Sequence, residues 1–440
     1  MPSVGKTLFD RIVEARGLSG SKLESFLSPN YQDLHDPFLL PDMSAAVDRL
    51  LAARRAQEKI VIYGDYDIDG LTATTLLVGA FEAFGFRYID TFIPNRFVEG
   101  YGLTVEAVEK ISADGADLII TVDCGSLSRA EIERAGQLGV DVIVTDHHNV
   151  APVQPPAVAV INPKRLLQDY PENYNGFVLV ASEEACSEAT KLYPFLDLAG
   201  VGVAFKLVQA LQTRLDGLPK GQEKWFLDLV ALGTVCDVVT LQDENRIFAY
   251  WGIEVLKKTR RVGLKALLAV AGVEPAAVDA RTLGFVLGPR MNASGRLDTA
   301  RHAQDMLLSA DSQVALDLAQ KLDDMNVQRR SEQAKIMKQA LTEASKYSSD
   351  PVLVVSAPGW NHGIIGIVAA KLLEKFKKPT FVLQEDAEVI DHKAAAKGSA
   401  RSYGDFSAAD AIRAAEDVIT KGGGHKLAAG VTLPTENIDK

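Results

Sequence analysis

Aspartates recur at the ends of apolar runs in this chain, at spacings that suit metal chemistry. The stretch Val61-Ile62-Tyr63-Gly64-Asp65-Tyr66-Asp67-Ile68-Asp69-Gly70 sets three of them at every second position after a β-branched run. Alternate residues of an extended segment point the same way. Three converging carboxylates repel one another unless cations lie among them. Hard divalent ions with oxygen ligands fit such a site. Taken alone, the same text could be an Asp-rich turn capping the next helix.

Three further runs end similarly. Thr121-Val122-Asp123-Cys124-Gly125 places an aspartate directly after an apolar strand, where a helix N-cap is the plain alternative. Val142-Ile143-Val144-Thr145-Asp146-His147-His148-Asn149 ends in two histidines. Imidazole is a frequent transition-metal ligand whose second nitrogen is usually fixed by a carboxylate. Leu232-Gly233-Thr234-Val235-Cys236-Asp237-Val238-Val239 buries one more aspartate in an apolar run. A lone buried carboxylate is costly without a partner, and a metal or a backbone hydrogen bond could supply one. Together Asp65, Asp67, Asp69, Asp123, His147 and Asp237 can hold two divalent ions, with Asp123 as the natural bridge. Ions roughly 3.5–4 Å apart could generate a hydroxide nucleophile and stabilise an in-line phosphoryl transition state.

The elements that must position these residues read as α/β. Short β-branched runs at Ile60–Tyr63, Asp117–Val122 and Val140–Thr145 predict buried parallel strands. Helical stretches at Leu71–Phe84, Thr104–Ala113 and Ser128–Leu138 alternate with them, which predicts a parallel, doubly wound sheet. Ligands bind beyond the carboxyl ends of such strands, where the acidic motifs lie. Val201–Leu215 and Trp225–Leu232 read as helices, Arg246–Val286 as a mixed segment, and His302–Lys346 as a connecting helix or helix pair. A second, smaller α/β unit follows Asp350-Pro351. It has strands at Val352–Val355, Thr380–Leu383 and Ala394–Arg401, helices at Ile364–Phe376 and Ala408–Ile419, and a glycine-rich turn. The expected domains are an N-terminal leader packing on the core (1–45), a catalytic domain (46–300), a helical linker (301–348) and a substrate-binding domain (349–440).

Composition adds bounds. The 440 residues are 47% hydrophobic and 24% charged, as for ordinary globular cores, and no apolar run is long enough to span a bilayer. The N-terminus has no signal-peptide pattern, so a cytoplasmic protein is expected. Cys124, Cys186 and Cys236 are too widely spaced for a disulfide framework or a thiolate zinc site. A net charge of −11 argues against a nucleic-acid partner only if the carboxylates carry no cations.

The order Asp-Tyr-Asp-Ile-Asp-Gly, Val-Asp-Cys-Gly, Asp-His-His and Gly-Thr-Val-Cys-Asp resembles the four motifs of the DHH phosphoesterases. Tyr63–Gly70, Leu232–Val239, the leader Leu27–Met43, Leu198–Ala204 and Gly288–Arg296 resemble its RecJ branch. Trp360–Gly366, Gly398–Ser402 and Gly422–Gly430 resemble the DHH-associated domain, which in the family grips the strand near the scissile phosphate. The likeness covers nearly the whole chain. It implies a manganese- or magnesium-dependent exonuclease acting on single-stranded DNA in repair and recombination. The polarity would be 5′→3′ with release of mononucleotides, through two ions. A single-strand-binding protein or a helicase is the candidate partner, and no membrane is implied.

By resemblance, Asp67, Asp69, Asp123, His147 and Asp237 are metal ligands. Asp65 is a ligand or an orienting catalytic group, and His148 contacts the phosphate or positions the leaving oxygen. Arg290, Asn292 and Arg296 line the strand's path, although surface salt bridges are the plainer role for the two arginines. His362, Ser399, Arg401, Gly423, Gly424 and His425 contact the strand. Glycines let backbone N–H groups approach phosphate oxygens, and an arginine can fork onto a phosphate.

Three departures stand out. Tyr63 occupies a position that holds histidine in several DHH branches, so one metal site could be weaker or completed differently. Residues 166–192 look inserted, as a surface loop or short hairpin. Only ten residues follow Gly430, where many relatives continue into an oligonucleotide-binding barrel. Lys257-Lys258-Thr259-Arg260-Arg261 reads as a solvated helix end or a phosphate contact. Two rival functions are an oligoribonuclease or cyclic-dinucleotide phosphodiesterase of the same superfamily, and a non-catalytic replication or repair scaffold. Such scaffolds lose the acidic motifs, which are all present here.

Overall fold

The computed structural model describes residues 6–100, 102–175, 178–179, 192–347, 349–390 and 393–440. The chain divides into two compact units, Met1–Asp323 and Asp324–Lys440. Among the described residues no helix is long and apolar enough to cross a membrane.

Unit 1 opens with two short helices, α1 (Leu8–Ala15) and α2 (Gly20–Leu27), neither of which buries a residue. The chain then runs through α3 (Met43–Ala56), β1 (Lys59–Gly64), α4 (Ile68–Ala83) and β2 (Tyr88–Phe92). It continues with α5 (Val105–Ala113), β3 (Leu118–Val122), α6 (Arg129–Gln137), β4 (Asp141–Thr145) and β5 (Ala159–Ile161). The five strands form one parallel sheet in the order β2-β1-β3-β4-β5. Strand side chains alternate between two cores. Ile60, Ile62, Leu118 and Ile120 face α3 and α4, while Val61, Tyr63, Ile119 and Val142 face α5 and α6. Burial on both faces explains why β1, β3 and β4 read as continuous apolar runs. The doubly wound expectation therefore holds.

The sequence reading missed β2 and β5. β2 sits at the sheet edge and is largely accessible, so its Tyr-Ile-Asp-Thr-Phe text carries no apolar run. β5 has three residues, too few for a periodic signal.

The stretch read as an insertion begins with α7 (Arg165–Asp169) and a two-stranded hairpin, β6 (Tyr174–Asn175) with β7 (Val178–Leu179). Its residues 180–191, Cys186 among them, lie outside the described residues. Next come α8 (Gly200–Gln212), α9 (Leu227–Cys236), α10 (Asp243–Leu256) and α11 (Val262–Val270). α12 (Ala280–Thr282) then runs through a wide π turn, Leu283–Leu287, into α13 (Gly288–Leu297). The expected mixed segment over 246–286 is corrected: its described residues pair with no strand and form helices. Its leucines and valines recur at helical spacing and bury Phe248, Leu256, Leu264 and Leu268. α14 (Arg301–Leu308) and α15 (Ser312–Lys346) form a helix pair, broken where the Asp311 carboxylate accepts from the Gln313 and Val314 amides. The division between the units falls within α15.

Unit 2 adds β8 (Leu353–Pro358), α16 (His362–Phe376), β9 (Thr380–Ile390) and β10 (Lys393–Arg401). It ends with α17 (Ala408–Ala414), β11 (Lys421–Gly424) and β12 (Ala428–Pro434). The sheet order is β11-β12-β10-β9-β8. Only the β8–β9 pair is parallel. The glycine-rich text expected as a turn is itself strand β11, with the turn formed by the next three residues. Glycine side chains give no strand signal, so cross-strand pairing decides there.

Candidate metal centre

β1, β3 and β4 are adjacent and parallel, so their carboxyl ends converge. The backbone of each strand end continues the ladder: Asp65 N–H donates to the Val122 carbonyl, Asp123 to Thr145 and Asp146 to Ile161. This brings Asp65, Asp123 and Asp146 to one sheet edge, where all three are buried.

Asp65, Asp67 and Asp69 converge by a different route from the one the spacing suggested. They do not alternate along an extended segment. Asp67 caps α4, its Oδ1 accepting from the Asp69 and Gly70 amides at 2.9 and 3.3 Å, and Asp69 lies in the first helical turn. Capping and convergence, read from the sequence as alternatives, occur together.

Asp69 is gripped a second time. The N-terminus of α8 donates Gly200 N–H to Oδ2 at 2.6 Å and Val201 N–H to Oδ1 at 2.9 Å. A Cβ on Gly200 would stand 2.8 Å from Asp123 Cβ and 3.0 Å from Asp69 Oδ2. Gly233 of α9 is equally tight, 2.8 Å from Asp69 Oδ1. Asp237 follows α9 directly, at the helix C-terminus, where the backbone dipole disfavours an anion.

His147 completes the cluster. Its Nε2 lies 3.1 Å from Asp123 Oδ1, 3.7 Å from Asp237 Oδ2 and 3.8 Å from Asp69 Oδ2. The ring's other nitrogen is held by the Leu198 backbone. His148 Nδ1 instead hydrogen-bonds Asp146 Oδ1 at 2.9 Å. Asp146 also accepts from the backbone of Ser126, His147 and His148. It therefore orients the His148 ring and fixes the backbone that carries both histidines, a role that the Asp-His-His text carried but that was not assigned from the sequence.

Possible ligand atoms gather in overlapping groups: Asp65, Asp67 and Asp123; Asp69, His147 and Asp237; and Asp123, His147 and His148. Asp123 joins two of the three. Its backbone adopts φ +62°, a left-handed conformation uncommon outside glycine. It caps no helix, since Ser128 precedes α6.

The electrostatics are those of a crowded acidic site. Burial, then the charge of Asp67, pushes Asp65 up to about 8 and Asp69 up to about 7. Burial and Asp69 push Asp237 up to about 8, and Asp123 rises well above the carboxylate range for the same reasons. Burial and the neighbouring His148 depress His147 to about 3, which keeps it neutral. Burial also opposes charge on His148, but Asp146 outweighs it and raises the ring to about 9. Asp146 goes the other way: burial is overridden by His148, and the carboxyl is held well below its usual range.

Asp65 Oδ1, Asp123 Oδ1 and His147 Nε2 are buried, and none makes a hydrogen bond among the described residues. Lone pairs facing one another at 3.1 Å without a donor are unfavourable. A shared cation resolves this, so the donor set fits one or more divalent ions.

Tyr63 stays away from the centre. It is fully buried, stacks on Phe92 and donates to the Gly102 carbonyl at 2.8 Å. Asn292 accepts from the Ile68 amide at 3.1 Å, bracing the start of α4. Arg290 pairs with Asp323 at 2.8 Å and donates to the Val286 carbonyl. Arg296 lies close enough to Tyr66 to act on it electrostatically.

Two further cations approach the centre. Arg96 stacks 4.2 Å over the Tyr66 ring, and its charge favours ionised Asp65. Lys164 likewise favours ionised Asp237, and it favours neutral His147. Neither was singled out from the sequence. Arg96 follows the edge strand β2, which gave no signal.

In unit 2, pairing gathers most of the expected strand-binding residues. Ser399 pairs across Gly430 to Gly423, and Arg401 pairs with Ala428 beside Gly424 and His425. Arg401 donates to Ser399 Oγ at 3.0 Å, and Gly366 packs against both. His362 opens the same helix, α16, where Gln384 holds it.

The basic run 257–261 is mostly engaged. Lys257 pairs with Glu254, Arg260 stacks on Trp225 and Arg261 pairs with Asp228.

A parallel sheet with carboxylates and imidazoles at its strand ends, followed by a second mixed-sheet unit, defines a DHH-type protein. Family comparison agrees. Residues 59–234 match the DHH family, N-terminal domain, and residues 349–440 match the DHHA1 domain. The chain is 40% identical over 414 residues to the single-stranded-DNA-specific exonuclease RecJ of Bacillus subtilis (strain 168), covering 94% of this chain and 48% of that one. It is 36% identical to the protein of the same name from Dickeya dadantii (strain 3937), covering 100% of this chain and 74% of that one. A crystal structure of exonuclease RecJ bound to manganese superposes with a TM-score of 0.75 at 33% identity, covering 91% of this chain and 92% of that one. The chain belongs to the RecJ family. It spans about half the length of its Bacillus relative.

Proposed function

We propose that this chain is a divalent-metal-dependent exonuclease that hydrolyses single-stranded DNA, 5′→3′, to mononucleotides in repair and recombination. The observation that carries the reading is the convergence of Asp65, Asp67, Asp69, Asp123, His147 and Asp237 into overlapping ligand groups with unsatisfied buried atoms. The names of the relatives support the substrate.

Asp65, Asp67 and Asp123 would hold one ion and Asp69, His147 and Asp237 another, while Asp123 also groups with His147 and His148. When bound, manganese or magnesium supplies Lewis acidity and positive charge for phosphodiester hydrolysis. His148, kept protonated by Asp146, presents a proton and a charge to the phosphate or its leaving oxygen. Arg96, held on Tyr66, adds a planar donor for a phosphate. In unit 2, Ser399, Arg401 and the backbone of Gly423 and Gly424 would take strand phosphates, with His362 and His425 beside them. Arg290 and Arg296 would line the strand's path, and Asn292 would steady motif I. Unpaired strands come from duplex DNA, so a helicase or a single-strand-binding protein would act alongside this enzyme in the cytoplasm.

The test is digestion of single strands labelled at either end, with duplex, RNA and dinucleotide controls. Mononucleotides should appear from the 5′ end with manganese and disappear in excess EDTA. Full activity in EDTA, or preference for RNA or dinucleotides, would contradict the proposal.

A further inference from the structure

Water surrounds three apolar side chains where a charged site would ordinarily be rimmed by polar ones. The most exposed large apolar residues of the described part of unit 1 are Val238 (85%), Val98 (78%) and Phe285 (75%). Scattered exposed apolar residues are ordinary, but each of these three adjoins a residue at or beside the metal centre. Val98 lies two residues beyond Arg96, and Val238 directly follows Asp237. Phe285 projects from the π turn, which packs on the end of α9 that precedes Asp237: Cys236 Sγ donates to the Leu283 carbonyl, and Gly288 lies against the same sulfur.

Two of the three are held at a local cost. Val238 has φ +63°, a conformation that a β-branched residue rarely adopts and that glycine or asparagine would take more easily. Phe285 rides on five residues of π-helix, a rare geometry that recurs at functional sites. The neighbours Leu283 and Leu287 are buried, so the turn is anchored while Phe285 faces outward. The Arg281 guanidinium lies 5.6 Å from its ring centroid.

We infer that this apolar rim takes the faces of unpaired nucleobases beside the metal centre, with Phe285 as the stacking platform. The inference rests on the proposed nuclease function. A ligand that suits a charged centre with an apolar border is itself charged along one edge and apolar on its faces. A single nucleic-acid strand has that form, since every base offers a π face regardless of sequence. A duplex keeps those faces stacked inside, so it gains nothing from the rim. The rim therefore contributes to preference for single strands, without reading sequence.

The test uses the full chain with saturating manganese and strands built of cleavage-resistant phosphorothioate linkages, so that binding is measured without turnover. A thymidine strand and an otherwise identical abasic strand are compared by fluorescence anisotropy. Phe285→Ala should weaken the thymidine strand about tenfold and leave the abasic strand unchanged. Phe285→Trp should restore thymidine binding. Equal weakening on both strands, or no weakening on either, would overturn the inference. Failure of the nuclease proposal reads separately, as a parent protein that binds the thymidine strand but does not cleave an unmodified strand in manganese.

Discussion

Asp146 shows how much a residue can matter without facing the reacting atoms. It touches both histidines and the loop at Ser126, and its charge raises the His148 ring. Asp146→Asn should lower activity or metal affinity about 10–100-fold, the usual effect of losing an orienting carboxylate. Steady-state kinetics across manganese concentrations would check this, and wild-type values would contradict the role. Asp123→Ala should cost more, because it removes the shared ligand; unchanged nuclease activity would favour a scaffold.

The acidic cluster also predicts a pH dependence. Asp69 near 7, Asp65 and Asp237 near 8 and His148 near 9 all lie above their unfolded values. Groups raised in the folded state stabilise it at low pH and lose that contribution as pH climbs through the folded value. Metal-free protein should therefore lose thermal stability progressively from about pH 4, the unfolded carboxylate value, to about pH 9, and saturating manganese should abolish that fall. A melting temperature that falls equally with and without manganese would contradict the assignment. The candidate ligand residues were legible in the sequence because apolar runs ended on or beside them. Arg96 and Lys164 were not, because single cations in loops carry no periodic signal.

At the scale of elements, the centre depends on two helices approaching closely at glycines. α8 reaches Asp69 with its first amides only because Gly200 has no side chain. Gly200→Ala should destabilise the protein by about 1–3 kcal/mol through overpacking, and should weaken manganese binding as well. Calorimetry would separate the two effects, and an unchanged manganese affinity would show that the α8 grip is incidental. The strands β1, β3 and β4 were readable because burial on both faces makes them apolar throughout. The route of motif I was not. Three aspartates at alternate positions suggested an extended segment, but the capping energy of Asp67 starts α4 sooner. β11 was hidden for a different reason: its Lys-Gly-Gly-Gly text is strand only because β12 pairs with it.

At the scale of the whole molecule, a net charge of −11 is compatible with a polyanionic substrate once part of the acidity is neutralised by ions. The two units then divide the work. Arg401→Ala in unit 2 should weaken single-strand binding about tenfold while manganese occupancy stays intact. Loss of metal in that variant would show that the roles of the units are misassigned. The presence of two α/β units was legible from the change of pattern at Asp350-Pro351. The division inside α15 was not, since an uninterrupted helix shows no boundary in its text.

Manganese titration of the metal-free chain by calorimetry probes the account most directly. Binding of about two ions, with proton release and a rise in melting temperature, is the predicted outcome, and Asp123→Ala should lose at least one of them. A folded chain that takes up no manganese, or an Asp123→Ala variant that binds as the parent does, would contradict it.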